Sequence, residues 1–308
     1  MTTMQRRSEA VGLSLALRLA LPLLILGAMA SSAEADQRSD RRQVGHRVSR
    51  IHRETTSHAE RLAAVSAMFV GRGYQISPLG EGPLGRVDAD PIARFDRFDC
   101  VTYVEQVMAL AWFGQLDAAI AELQHIRYAA GQIRYGARKH IMMAQWIPQN
   151  IAAGFVRDIS SSVAGGPVSY AELQLGERDF VSPLGRKLKL SRADRPLGTH
   201  RLPIIPVDRL GGLIGRIPHG TIITSIRASR SGVPYRASHV GLVIDEGGKK
   251  VVRHAHRRRG RVVEQPLATF SREAQRWRRW PIVGFNLLAI AEHPPARPNR
   301  TKSSRSSR

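Results

Sequence analysis

Helical periodicity fills the first half of this 308-residue chain and short β-branched runs fill the second, and that segregation narrows the fold most. Glu60 to Val70 predicts a short helix ended near Gly71 and Gly73. Asp99 to Phe113 predicts a second, with Val101, Val104, Met108 and Ala111 at helical spacing. Leu116 to Ile126 and Met142 to Asn150 continue the pattern, the latter broken at Pro148. The strands are Thr221 to Ile226, His239 to Ile244, Lys250 to His254, Arg261 to Glu264 and Ile282 to Ile290. Gly247-Gly248 marks a hairpin between the second and third. This order predicts an α+β fold with helices packed on one face of an antiparallel sheet. The stretch from Ser160 to about Pro203 carries no clear period, and no internal repeat is visible.

The ends read differently. Arg6, Arg7 and Arg18 lead into an apolar core, Leu19 to Ala30, too short to cross a bilayer. Ala33-Glu34-Ala35 offers a small-x-small cleavage site, so residues 1–35 are expected to be a signal peptide and the protein exported, periplasmic or at the cell envelope. An uncleaved anchor from Val11 to Ala30 competes with this, but Arg18 and Pro22 interrupt it. No cysteine stands directly after the leader to carry a lipid anchor. Residues 36–59 are expected to be a basic flexible arm, residues 60–290 the catalytic domain, and residues 291–308 a disordered basic tail. The net charge of +22 suits an anionic partner such as an anionic envelope surface or an acidic polymer. Nucleic acid is disfavoured, because basic–aromatic interleaving is sparse apart from Arg276 to Trp280.

Cys100 is the only cysteine, so an exported chain cannot spend it on an internal disulfide. A buried inert thiol is the commonest fate of a free cysteine. Its position argues for use instead. Asp99 is a good N-cap, and a thiol in the first helical turn feels the dipole and free N–H groups that favour a thiolate.

A cysteine nucleophile needs a base and a group to orient that base. His239 and His254 stand at opposite ends of one predicted hairpin. A two-residue Gly247-Gly248 turn puts His256 across from His239 and His254 on the diagonal; a register shifted by two puts His254 directly opposite. All three share one face in either register, within about 5–8 Å. Strand-end histidines facing water are the plainer reading for any one of them. A metal at His254-x-His256 lacks a carboxylate or cysteine at ligand spacing, so no metal or other cofactor is called for.

Taken in order, these residues resemble the NlpC/P60 superfamily of papain-like cell-wall cysteine peptidases, and more narrowly the DUF1460 family, described as N-acetylmuramoyl-L-alanine amidase-like. The resemblance is carried by Phe98-Asp99-Cys100-Val101-Thr102-Tyr103-Val104-Glu105 and Ile126-Arg127-Tyr128-Ala129-Ala130-Gly131-Gln132-Ile133. Arg138-Lys139-His140 with Trp146-Ile147, Ser238-His239-Val240-Gly241 and His254-Ala255 complete it, over about Glu60 to Ile290. It implies a papain-like NlpC/P60-type fold, with Cys100 as nucleophile, His239 as base and His254, rather than His256, as the orienting third member. Tyr74 matches a tyrosine often found near the thiol in the superfamily, where its hydroxyl can help the Cys100 N–H hold an oxyanion. Arg138 is a candidate for a peptide-stem carboxylate. The chain departs from the family at His219-Gly220-Thr221, where Gly-Asp is common, at Gly71-Arg72-Gly73-Tyr74, where Gly-Thr-Pro-Tyr is common, and at His256, where serine is usual.

The expected function is therefore an exported cysteine amidohydrolase acting on peptidoglycan or a muropeptide, foremost an N-acetylmuramoyl-L-alanine amidase. The alternatives are a D-glutamyl–diamino acid endopeptidase and a catalytically inactive wall-binding protein. The oligomeric state is open.

Overall fold

The computed structural model describes residues 37–296. The leader, and the tail from residue 297, lie outside the described residues. Residues 37–54 form a helix, α1, where the sequence suggested a flexible arm. Its cause is an i, i+4, i+7 stripe: Val44 and Val48 are buried and Ile51 packs beside them in the core. Ser49 donates to the Gly114 carbonyl at 2.7 Å, and the His52 ring meets the Leu110 carbonyl at 2.8 Å. The dense charge of this segment sits on the opposite, solvated side.

The chain continues through α2 (His58–Ala67), β1 (Gly73–Tyr74), β2 (Arg97–Phe98), α3 (Cys100–Trp112), α4 (Leu116–Arg127) and α5 (Ile147–Ala152). Then come β3 (Val156–Asp158), α6 (Ser160–Ala164), β4 (Ser169–Leu175), α7 (Glu177–Val181), β5 (Gly198–Pro206) and α8 (Leu210–Leu213). The last part is β6 (Thr221–Arg227), β7 (Ala237–Glu246), β8 (Lys249–His256), β9 (Arg261–Pro266), α9 (Leu267–Gln275) and β10 (Ile282–Ile290). All five expected strands are present. The aperiodic region adds the β4–β5 pair, in which Ala171, Leu173 and Leu175 alternate inward.

The sheet runs β2-β1-β9-β8-β7-β6-β10-β5-β4, with β3 pairing on β10. It is antiparallel except where β1 and β2 run parallel. Helices cover both faces, which corrects the one-face expectation. Leu242 and Ile244 of β7 join the core shared with α1 to α4, whereas Val243 joins a second core with α6, α8 and α9. A strand buried on both faces reads as a continuous apolar run, as in Thr221–Arg227, where every residue is buried.

Between α3 and α4 lies a sealed ion pair. Arg127 donates to Glu105 at 2.8 Å, with both side chains at most 4% exposed. The Trp146 indole donates to the other Glu105 oxygen at 2.8 Å.

Candidate active site

Why Cys100 opens α3 is legible in its neighbours. The Asp99 carboxylate accepts from the N–H groups of Val101 and Thr102 at 3.0 and 2.8 Å, and the Thr102 hydroxyl accepts the Asp99 N–H at 2.9 Å. This reciprocal cap fixes the first turn and leaves Cys100 at its head. The second Asp99 oxygen accepts from Ser77 N–H, holding the incoming loop.

The thiol packs against the first core. The main-chain N–H groups of Val240, Cys100 and Val101 hydrogen-bond it and pull its pKa down. Burial, with the Asp99 charge second, outweighs them and pushes the thiol up to about 12. The thiolate expected from the helix terminus is therefore absent at rest. Desolvation costs more here than three N–H dipoles return. Iodoacetamide labelling of Cys100 should accordingly be slow at about pH 7 and quicken about tenfold per unit as the pH rises to about 9. A rate already flat between about pH 6 and 8 would contradict this.

On β7 and β8 the structure selects the register with His254 diagonal to His239, since Leu242 pairs with Arg253 and Val243 with Val252. The two rings meet, His239 Nε2 to His254 Nδ1 at 2.5 Å, and the His256 ring lies 5.3 Å beyond His254. Phe270 of α9 packs against both His239 and His254. Burial drives His239 down to about 4, helped by His256 and Arg227. His254 falls to about 2, from burial and then its two histidine neighbours. Both rings are neutral at physiological pH, the form a base requires.

His239 directly precedes Val240, whose N–H serves Sγ, so the two candidate residues touch β7 at adjacent positions. Among the described residues, no hydrogen bond joins Sγ to an imidazole. Such contacts are commonly long in a free enzyme and tighten around substrate. Since His254 occupies Nε2 of His239, the nitrogen left free to accept a proton is Nδ1.

Tyr74 lies near Cys100 and Asp99. Burial, and then the neighbouring thiol and Asp99, push its phenol up to about 12, with Arg257 opposing. It stays an O–H donor beside the thiol. Arg138 does not stand free for a substrate. Its guanidinium is held by Glu81 and by Asp88 at 2.9 Å, and it lies 5.0 Å from the Tyr135 ring centre. The carboxylates it meets belong to its own chain. Lys139 beside it is structural too, donating to the His125 and Ile126 carbonyls and to Asn150.

Sequence reasoning missed Gln265. His254 Nε2 and Gln265 Oε1 are both buried and without another partner, and the Gln265 amide is close enough to favour a protonated His254. Period-2 alternation from Val263 was the available signal, as Val263 pairs with His254 and shares its face with Gln265. A Gln265 Oε1 that accepts a hydrogen bond from His254 Nε2–H would leave His254 Nδ1 to accept from His239 Nε2–H, with the lone pair of His239 on Nδ1.

No group of three or more ligating side chains able to hold a metal ion occurs among the described residues. A cavity of about 510 Å³ lies between α1 and residues 81–96, lined by none of the candidate catalytic side chains.

The sequence model of the AmiA-like family, described as N-acetylmuramoyl-L-alanine amidase-like, matches residues 64–276. No curated protein matches the chain. A Legionella pneumophila structure assigned to DUF1460 is 28% identical, with a TM-score of 0.74, covering 87% of this chain and 98% of its own. An N-acetylmuramoyl-L-alanine amidase from Bacteroides uniformis shares the fold at 22% identity and a TM-score of 0.61, over 76% of this chain and 98% of its own. A Bacteroides fragilis protein provisionally described as a xylanase is 25% identical, with a TM-score of 0.59, over 74% of this chain and 100% of its own.

Proposed function

The chain belongs to the AmiA-like, N-acetylmuramoyl-L-alanine amidase-like family, and from that premise we propose that it is an exported cysteine amidohydrolase of papain-like, NlpC/P60 type. It cleaves the amide between N-acetylmuramic acid and L-alanine in peptidoglycan or its fragments. The observation that carries the reading is the capped, helix-terminal Cys100 served by the Val240 N–H, next in β7 to His239 of a neutral, mutually bonded imidazole pair.

The chemistry follows from the protonation states. The resting pair is thiol and imidazole, so His239 Nδ1 removes the Sγ proton as Sγ adds to the amide carbonyl carbon. The carbonyl electron pair moves onto oxygen, where the Cys100 N–H and the Tyr74 hydroxyl can receive it. The imidazolium is steadied through Nε2 by His254. It then passes its proton to the amide nitrogen as the C–N bond breaks. The stem peptide leaves with a free L-alanine amine, and a thioester remains. Water, deprotonated by His239, adds to the thioester and releases the lactyl carboxylate and the thiol.

A glycosidase reading does not suit this centre. Glycoside cleavage calls for two carboxyl groups flanking the bond, whereas the carboxylate beside the thiol, Asp99, is spent on capping α3. Mass spectrometry of defined muropeptides incubated with the protein tests the assignment. Intact stem peptide beginning at L-alanine is expected. A Cys100-dependent cut after D-glutamate would retain the chemistry and move the bond; intact substrate at every pH tried would favour a wall-binding protein.

A further inference from the structure

Arg138 is occupied by its own carboxylates, so an anionic group on the substrate must find its cation elsewhere. Two arginines for which no salt bridge occurs among the described residues, Arg227 and Arg258, stand where β7 begins. Arg227 ends β6 and Arg258 follows the end of β8, the two strands that flank β7. Trp277, just past α9, bridges them. Its ring centre lies 4.5 Å from the Arg227 guanidinium carbon and 4.7 Å from that of Arg258. The span therefore crosses β7 at the end that carries His239. Arg227 also shares the His239 face: it alternates with Ile223 and Ser225, and Ser225 pairs with His239.

Arg227 is the unusual member. It is 9% exposed, stacks on Trp280 at 5.1 Å as well as on Trp277, and gives one N–H to the Trp280 carbonyl. Burial of a guanidinium without a counter-ion is costly. The cost is consistent with a site that an anion completes. Arg257, in the same turn as Arg258, reaches toward Tyr74 and so carries the cationic rim round to the thiol side.

We propose that Arg227, Trp277 and Arg258 form a subsite for the carboxylates of a peptide stem, which holds the acyl bond between Cys100 and His239. The inference rests on the amidase reading for its choice of substrate. Guanidinium forks match carboxylates in two-pronged geometry, and the half-exposed indole supplies an apolar floor for the intervening peptide. A bound carboxylate also offsets the positive field that Arg227 places on His239, making it a stronger base when the correct substrate is present.

Binding rather than turnover provides the test. Cys100→Ala protein is titrated calorimetrically with N-acetylmuramoyl-L-alanyl-D-glutamyl stems, once as free acids and once with every carboxyl amidated. The free acid should bind about tenfold more tightly, and adding Arg258→Gln should remove that advantage while leaving the amidated stem unchanged. Arg258 is exposed, so its variant carries the test even where Arg227→Gln fails to fold. Equal affinity for the two stems, no binding of either, or an equal loss for both on Arg258→Gln would overturn the subsite. So would inorganic phosphate that competes as well as the free-acid stem. A stem that binds in this pattern but is left intact by the unmodified protein would instead defeat the amidase reading and leave the subsite standing.

Discussion

Cys100→Ala should lower the rate of amide hydrolysis by about 10⁴-fold or more, since losing the nucleophile removes the covalent route and leaves only binding and the oxyanion donors. The change is mild for the fold. It deletes one sulfur atom from a partly buried position, and the Asp99 cap of α3 is made by backbone and carboxylate groups that the substitution does not touch. Circular dichroism should therefore be unchanged while stem-peptide release vanishes. Activity within about tenfold of the unmodified protein would show that the thiol is not the nucleophile, and the paired imidazoles would then need another reaction.

Glu105→Ala should cost about 3–5 kcal/mol of stability, the largest structural effect expected from one substitution here. Arg127 would be left at 4% side-chain exposure with no carboxylate, and Trp146 would lose the acceptor for its indole N–H. Burial drives the Glu105 carboxyl up, and Arg127 opposes that shift, so the pair persists by mutual compensation rather than by net gain. Urea unfolding monitored by fluorescence reads the loss directly. A change below about 1 kcal/mol would mean that water reaches the guanidinium and that the pair is not sealed. Replacing both partners by apolar residues of like volume should recover most of the loss.

The helix that bears the thiol was readable almost to the residue, because a capping aspartate and a regular apolar stripe give the same answer at two levels. The β7–β8 hairpin was readable from Gly247-Gly248, both of which adopt positive φ, whereas the choice between its two registers was settled only by the strand pairing. Helix α1 was hidden because arginines dominated its composition, although Val44, Val48 and Ile51 carried its period. In β5, Pro203 and Pro206 masked a strand whose partner β4 alternates cleanly. At the site, residue types announced the thiol and its two imidazoles, but the balance of charge was not in the sequence. Whether three N–H groups outweigh burial at Cys100, or whether Arg138 is free, depends on desolvation and on Glu81 and Asp88, more than forty residues away in the chain.

Strand β10, last in the chain, lies inside the sheet between β6 and β5 and also carries β3. A ribosome making this protein therefore delivers the keystone at the end. Until residues 282–290 emerge, β6 has an unpaired side and the β4–β5 pair has nothing to join. The sheet of such a chain can close only when the final strand is threaded between neighbours already made. The order of manufacture thus places the join between the two halves of the sheet last.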